Sequence, residues 1–304
     1  MARGIDHVVL AVPELEAARD GFARMGFTPT PPARHPFGTG NVLIQLDRCF
    51  VELLAVLEPD RIPEPAPGRF SFAAFARDFL RTQEGLCGLV LESRDARQDA
   101  EEFKALGLHG YEPVFFERLA GQPDGTQARV AFTLAFASDP RVADICFFTC
   151  QQHAPENFWK AEYRRHGNTA ETVLGVVMTA PDPAELLPFL SGFSGVREPR
   201  AIDGGAALAT PRGVIEVLTP AAVRARYGDA APDSADTPRM VGLRFGVADV
   251  EAARNTLHNG AVAHRETPHG LLVPSTAGWG AMLTFEAAGG RNGTVENVSS
   301  GARR

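Results

Sequence analysis

The sequence predicts an α+β chain, built from four tandem βαβββ modules paired into two half-barrel domains. Three observations predict it. Val12-Pro13-Glu14-Leu15-Glu16-Ala17-Ala18-Arg19 returns almost letter for letter as Val247-Ala248-Asp249-Val250-Glu251-Ala252-Ala253-Arg254, so the chain repeats itself. Two fainter copies, "GLVLESRDARQDAEEFKALGL" from Gly88 and "GVVMTAPDPAELLPFLSGF" from Gly175, keep the order apolar run, polar turn, helical period, glycine. Short apolar or alternating runs, punctuated by Gly, Pro and Asp, follow each helix and read as antiparallel strands. One such unit puts a helix on one face of a small sheet and cannot close a core alone. Two paired units can.

Taken in order, module one covers 4–57. "GIDHVVLAV" is its first strand, and Leu15, Ala18, Phe22 and Met25 recur at helical spacing until Gly26 stops the helix. "NVLIQLD" and "CFVELLAV" are its later strands. A Pro-rich stretch and a linker helix fill 58–84, and module two covers 85–152. The linker 153–172, with "HAPENFWKAEYRRHGN", separates the domains. Modules three (173–219) and four (240–287) form the second domain, parted by "AAVRARYGDAAPDSADTP", which reads as a surface loop. The composition of 288–304 is that of a flexible tail.

Composition excludes several classes. Hydrophobic residues at 44% and charged residues at 22% are globular proportions, and 304 residues suffice for a sizeable core. A formal charge of −7 leaves no basic footprint for nucleic acid. No apolar run is long enough to span a membrane, and the first residues lack the pattern of an export signal. Cys49, Cys87, Cys146 and Cys150 therefore read as reduced thiols of a cytoplasmic protein. In that compartment the N-x-S/T matches at Asn292 and Asn297 carry no glycosylation. "FLSGFSG" lacks the nucleophile elbow, Cys146 and Cys150 have no second cysteine pair, and no phosphate loop or dinucleotide fingerprint is present.

Two residues stand out against this background. His7 sits near the start of an apolar strand, either as an ordinary strand-end histidine or as an imidazole aimed into a cavity. Glu52 lies amid Phe50, Val51, Leu53 and Leu54, where a carboxylate is costly unless it is paired or bound to a metal. An ordinary explanation is a salt bridge to an arginine such as Arg48.

Four βαβββ modules with His in a first strand and Glu in a last strand resemble the vicinal oxygen chelate superfamily, which includes glyoxalases, extradiol dioxygenases and bleomycin-resistance proteins. More narrowly, "DHVVLAV…GF…RHPFGTGN…FVELLAV" and "FFTCQQHAPENFWKAEYRRHGN" resemble the glyoxalase-like domain family. The resemblance covers 4 to about 285. It implies two glyoxalase-like half-barrels in which His and Glu hold a divalent metal, Zn, Fe, Mn or Ni, that a small substrate with adjacent oxygens can chelate. His7 and Glu52 take those ligand positions. His7 corresponds to Gly88, Gly175 and Gly242 in the other modules, and Glu52 corresponds to Glu216 in the third. Any metal centre must then combine His7 and Glu52 with ligands from module two. His153 is the choice there, with Gln151 and Cys150 beside it in sequence. A solvated His153 past a strand end is the plain alternative.

His35, in the Gly-rich "ARHPFGTGNVL", and His166, in "YRRHGN", are the candidate general acid/base residues. Turn chemistry for the first and a domain interface for the second are the plain readings. His109, His258, His264 and His269 lie in turns or polar runs. Three functions remain open. The first is a metal-dependent lyase, isomerase or dioxygenase. The second is a metal-free protein that binds or sequesters a small apolar molecule in a cup lined by some of its 20 Phe. The third is a scaffold with a relic site. The expected partner is a small molecule, not nucleic acid or membrane, and a homodimer stays open.

Overall fold

Strand-forming Val, Ile and Leu at the start of module one make β1 (Ile5–Ala11) and commit it to a sheet interior, buried at every position. The computed structural model describes residues 1–121, 125–233 and 237–288. The rest of the first half follows as α1 (Leu15–Arg24), β2 (Ala33–Arg34), β3 (Thr39–Gln45), β4 (Phe50–Val56), α2 (Phe72–Leu80), β5 (Gly85–Glu92), α3 (Ala96–Ala105), β6 (His109–Gly110), β7 (Val114–Gly121), β8 (Gln127–Ser138) and β9 (Cys146–Gln152). A short α4 (Pro155–Phe158) leads into the second half. That half comprises β10 (Ala170–Thr179), α5 (Pro183–Ser194), β11 (Arg200–Ile202), β12 (Gly205–Ala209), β13 (Val214–Leu218), α6 (Pro220–Tyr227), β14 (Arg239–Val247), α7 (Val250–Asn259), β15 (Arg265–Thr267), β16 (Gly270–Val273) and β17 (Met282–Ala287).

These strands form two open mixed sheets, the paired half-barrels of an α+β fold. The first runs β2-β3-β4-β1-β5-β9-β8-β6, with β7 also on β8, and the second β11-β12-β13-β10-β14-β17-β16-β15. At the centre of each, the first strands of two modules pair antiparallel (β1 with β5, β10 with β14), and each has its own module's last strand parallel on the other side. That is the twofold the repeat implies.

Strand alternation then divides the side chains. Val8, Leu10, Val51 and Leu53 go to the convex face, into one apolar core shared with α1, α3, α5, α7 and the other half. Across that core Phe27 lies 5.0 Å from Phe245, and Phe147 lies 4.9 Å from Phe189. Val9, Ala11, Phe50, Leu54, Val90 and Phe148 line the concave face, a cup that α2 stops at one end through Phe72, Ala76 and Phe79. Ser71 caps α2, accepting from the Ala74 amide at 3.2 Å.

The expected surface loop after β13 begins instead as a helix, α6. Thr219 caps α6 by accepting from the Ala222 amide, Pro220 occupies its first turn, and Val223 and Tyr227 are buried against Val177, Leu218 and Met282. The helix fills the second cup. Its arginine-rich face had hidden two apolar residues one turn apart. All but the first residue of the expected tail at 288–304 lies outside the described residues. Among the described residues, no helix is long and apolar enough to cross a membrane.

Candidate functional site

The first cup holds a cavity of about 490 Å³, mouth included, walled mainly by phenylalanines with His7, His35, Asn41, Glu52 and Arg118 among them. Its floor is set by register. On the parallel pair β1–β4, His7 faces Phe50 and Val9 faces Glu52, so His7 and Glu52 share the concave face two residues apart. His7 Nε2 stands 3.8 Å from Glu52 Oε2. Both residues are buried, about 5% exposed.

A β-bulge aims the imidazole. Between Ile5 and His7 the pairing with β5 slips by one residue, leaving Asp6 unpaired and turned to the same side as its neighbour. His7 Nδ1–H donates to Asp6 Oδ1 at 2.7 Å, and Asp6 Oδ2 accepts from Gln152 Nε2 at 3.1 Å. With the proton held on Nδ1, Nε2 presents its lone pair to the cavity. Phe50 stacks on the ring at 4.2 Å and fixes its plane. The strand sequence "DH" gives no hint of this, because adjacent residues of a regular strand face opposite ways.

The start of β3 and the loop ahead of it supply the next partners. Asn41 Nδ2 donates to Glu52 Oε1 at 2.6 Å and also faces His35 Nε2 at 3.2 Å, while His35 Nδ1 meets Thr39 Oγ1 at 2.8 Å. His35 Nε2 is therefore an acceptor and its Nδ1–H the donor. Burial lowers the His35 pKa to about 4, with the nearby Glu52 opposing and Arg118 adding to the shift. A ring that is neutral near pH 7 with both nitrogens engaged is a positioning group for Asn41, not a general acid or base. Arg48, the alternative partner for Glu52, is exposed and points to Asp47.

His166 lies outside the cavity. It accepts from the Thr28 amide at Nδ1 (3.0 Å) and donates from Nε2 to the Gln45 carbonyl (2.8 Å), pinning the inter-half segment to β3. Burial lowers its pKa as well. Both nitrogens serve backbone groups, so the acid/base role is replaced by a structural one. His153 is exposed, hydrogen-bonded to Thr133 at 2.7 Å, and does not join His7 and Glu52. Gln151 Oε1 accepts from the Ala96 amide at the start of α3. Cys150 lines the cavity, but burial holds its thiol well above the usual range, so it stays protonated.

A resident divalent metal would draw first on His7 and Glu52. His7 Nε2 and Glu52 Oε2 offer free lone pairs. His35 Nε2 is taken by the Asn41 amide, and the module-two counterparts of His7 and Glu52 are Gly88 and Phe148, which pair with the sheet as His7 and Glu52 do. A guanidinium, Arg118, lines the same space. Two protein donors beside a cation fall short of the three that hold a catalytic metal, so the residues do not fit a resident ion. Among the described residues, no group of three His, Cys, Asp or Glu is arranged to bind one.

In the second cup the corresponding carboxylate is paired with arginines. Glu216, the counterpart of Glu52, accepts from Arg244 Nη1 at 2.5 Å and Arg226 Nη1 at 2.9 Å, and Arg244 also bridges to Glu286. Arg118 went unnoticed in the sequence. Its signal was the alternation of "VFFERLAG", which turns Val114, Phe116 and Arg118 to one side of β7.

A hypothetical protein from Staphylococcus aureus is similar in structure (TM-score 0.68, 13% identity) over 94% of this chain and 99% of that one. A mutant 4-hydroxymandelate synthase from Streptomyces coelicolor is similar at TM-score 0.51 and 13% identity, over 88% of this chain and 77% of that one. A fusion of a xylose isomerase-like TIM barrel with a 4-hydroxyphenylpyruvate dioxygenase is similar at TM-score 0.54 and 13% identity, over 98% of this chain and 51% of that one. At such identities the likeness is one of fold. Among curated proteins none matches the sequence. The model of the glyoxalase-like domain matches residues 5–192, more than half of the chain. With the half-barrel topology and its neighbours in structure, that match makes the chain a member of the glyoxalase-like domain family, within the vicinal oxygen chelate superfamily.

Proposed function

We propose that the first cup is the active site of an enzyme that moves a proton on a small substrate with adjacent oxygens, and that His7 is its general base. The observation that carries this is the Asp6–His7–Glu52 line: Nδ1–H is held by Asp6 at 2.7 Å, and the free Nε2 is 3.8 Å from Glu52. When Nε2 takes a proton from a carbon next to a carbonyl, the C–H electron pair moves onto that carbonyl. The imidazolium then sits between two carboxylates that stabilise its charge. Return of the proton to a neighbouring atom completes an isomerase-type step. Glu52 keeps its orientation because Asn41 holds its other oxygen, and the phenylalanine walls exclude water. A protein that only sequesters an apolar ligand has no use for two buried carboxylates, which cost several kcal/mol to desolvate.

The test is deuterium exchange, followed by proton NMR, for a panel of small 2-hydroxy- and 2-oxo-carbonyl compounds in heavy water. Exchange at the carbon beside the carbonyl is expected with the native chain and not with His7→Asn. Panel members that bind without exchange would establish the sequestering function instead.

A further inference from the structure

Arg118 is the charged group of this cup whose guanidinium has no hydrogen-bond partner among the described residues. It lies on the edge strand β7, opposite Val130 of β8, with its side chain among the cavity walls. The residue is half-buried, and its Nε is buried without a hydrogen-bond partner. The guanidinium forms no hydrogen bond or ion pair with any described residue, and Glu52 acts on it only through space. Burial pulls its pKa below the usual arginine range. An arginine left so in an apolar pocket is costly unless something enters to meet it.

Resting on the proposal that this cup takes a small molecule, we infer that Arg118 is the anchor for the carboxylate of an aromatic monocarboxylate substrate. Three features select that class. The planar fork of a guanidinium matches a carboxylate with two parallel hydrogen bonds. Phe37, Phe116 and Phe132 form the wall beside Arg118, with Phe116 stacked on Phe132 at 5.2 Å and edge-on to Phe37 at 5.5 Å, so a flat ring is the body that fills the space. Glu52 stands in the same cavity, and its negative charge disfavours a dianion such as a phosphate monoester. The carboxylate end then lies at β7, and the opposite end of the molecule lies toward His7 and Glu52.

Titration calorimetry with phenylacetate and its uncharged isostere phenylacetamide tests this. The native chain should bind the acid at least about tenfold more tightly than the amide, the magnitude of a charge-assisted hydrogen bond lost. Arg118→Gln should erase that preference with the amide affinity unchanged. Arg118→Lys, which keeps the charge and loses the fork, should retain part of it and serves if the Gln variant does not fold. Equal affinity for acid and amide in the native chain, failure of the acid to bind, or a preference that survives in Arg118→Gln would each overturn the anchor. His7→Asn should keep the preference. Preference without any proton exchange sinks the proton-transfer function alone, and exchange without preference sinks the carboxylate anchor alone.

Discussion

Arg244 donates to Glu216 at 2.5 Å in the second cup, in register with Gly175, the residue that occupies the place of His7 in that half. An arginine from the neighbouring module thus occupies the region that the first cup leaves open. With Tyr227 of α6 above it, the second cup is a filled core with an ion-pair network.

Removing one member of that network should therefore damage stability and not binding. Arg244→Met leaves Glu216 and Glu286 without their common partner and should cost about 2–4 kcal/mol. Chemical denaturation reads the loss, and titration of the first cup should be unchanged. A variant as stable as the native chain would show that the network is dispensable.

The buried His35 predicts an acid-side loss of stability. Its folded pKa of about 4 lies below the value near 6.5 of an unfolded histidine. Between those values the unfolded chain binds the proton and the folded chain does not, so stability falls as pH drops from 6.5 to 4 and the effect levels off below. The full loss is about 3 kcal/mol. Unfolding free energies measured across this window should show a shallower slope for His35→Gln, and an unchanged slope would contradict the assignment.

Asp6 acts through His7, and Asp6→Asn separates positioning from binding. The amide can no longer hold the proton on Nδ1, so the turnover number for exchange should fall about 10–100-fold. Substrate affinity should move little. An equal loss in both would mean that Asp6 shapes the pocket and not the base.

Gly21 makes a test of packing between the halves. It lies inside α1, where alanine is worth about 1 kcal/mol more in helix propensity. A methyl there would run into the Trp279 indole, which also rests 5.5 Å from Phe22. Gly21→Ala should thus lower the melting temperature, for a net cost of about 1–2 kcal/mol after the propensity gain, and shift the tryptophan emission. Adding Trp279→Ala should recover part of the Gly21→Ala loss.

Metal content gives a direct check on the donor set. Protein incubated with Zn, Mn, Fe(II) or Ni and then desalted should carry well under one ion per chain, with a melting temperature that a chelator leaves unchanged. One tightly held ion per chain, lost in Glu52→Gln, would show that His7 and Glu52 recruit a further donor.

Much of this architecture was legible because period and punctuation agree. Leu15, Ala18 and Phe22 mark the buried side of α1, and the sequence pattern that pairs His7 with Glu52 puts them on adjacent parallel strands. What escaped depends on departures from regularity or on distant partners. The Asp6–His7 bond requires a bulge, and bulges leave no local signature in "GIDHVV". His35 and His166 have the chemistry of acids and bases, and only three-dimensional partners show both rings saturated. Arg118 sits on an edge strand whose alternation is plain, yet whether an arginine faces water or a cavity depends on which side of β8 the strand joins. For α6, Thr219 and Pro220 announced a helix start, and the polar arginines beside them masked its buried face.

The glycines at the places equivalent to His7 have a consequence for how this protein can change. A Cβ on Gly88 would lie 2.7 Å from Val9 Cγ2, and one on Gly242 would lie 2.5 Å from Met282 Cε. Val9 and Met282 fill the room that a side chain would need there. At Gly175 the obstacle is backbone, the Val214 carbonyl oxygen 2.4 Å from such a Cβ, so a histidine in any of these three places has to displace a neighbour on the adjacent strand. Among the described residues, the His7–Glu52 pairing therefore belongs to the first cup and has no counterpart at Gly88, Gly175 or Gly242. The room that is left for a different side chain lies at the rim of the first half-barrel, on β7 and in the loop around His35.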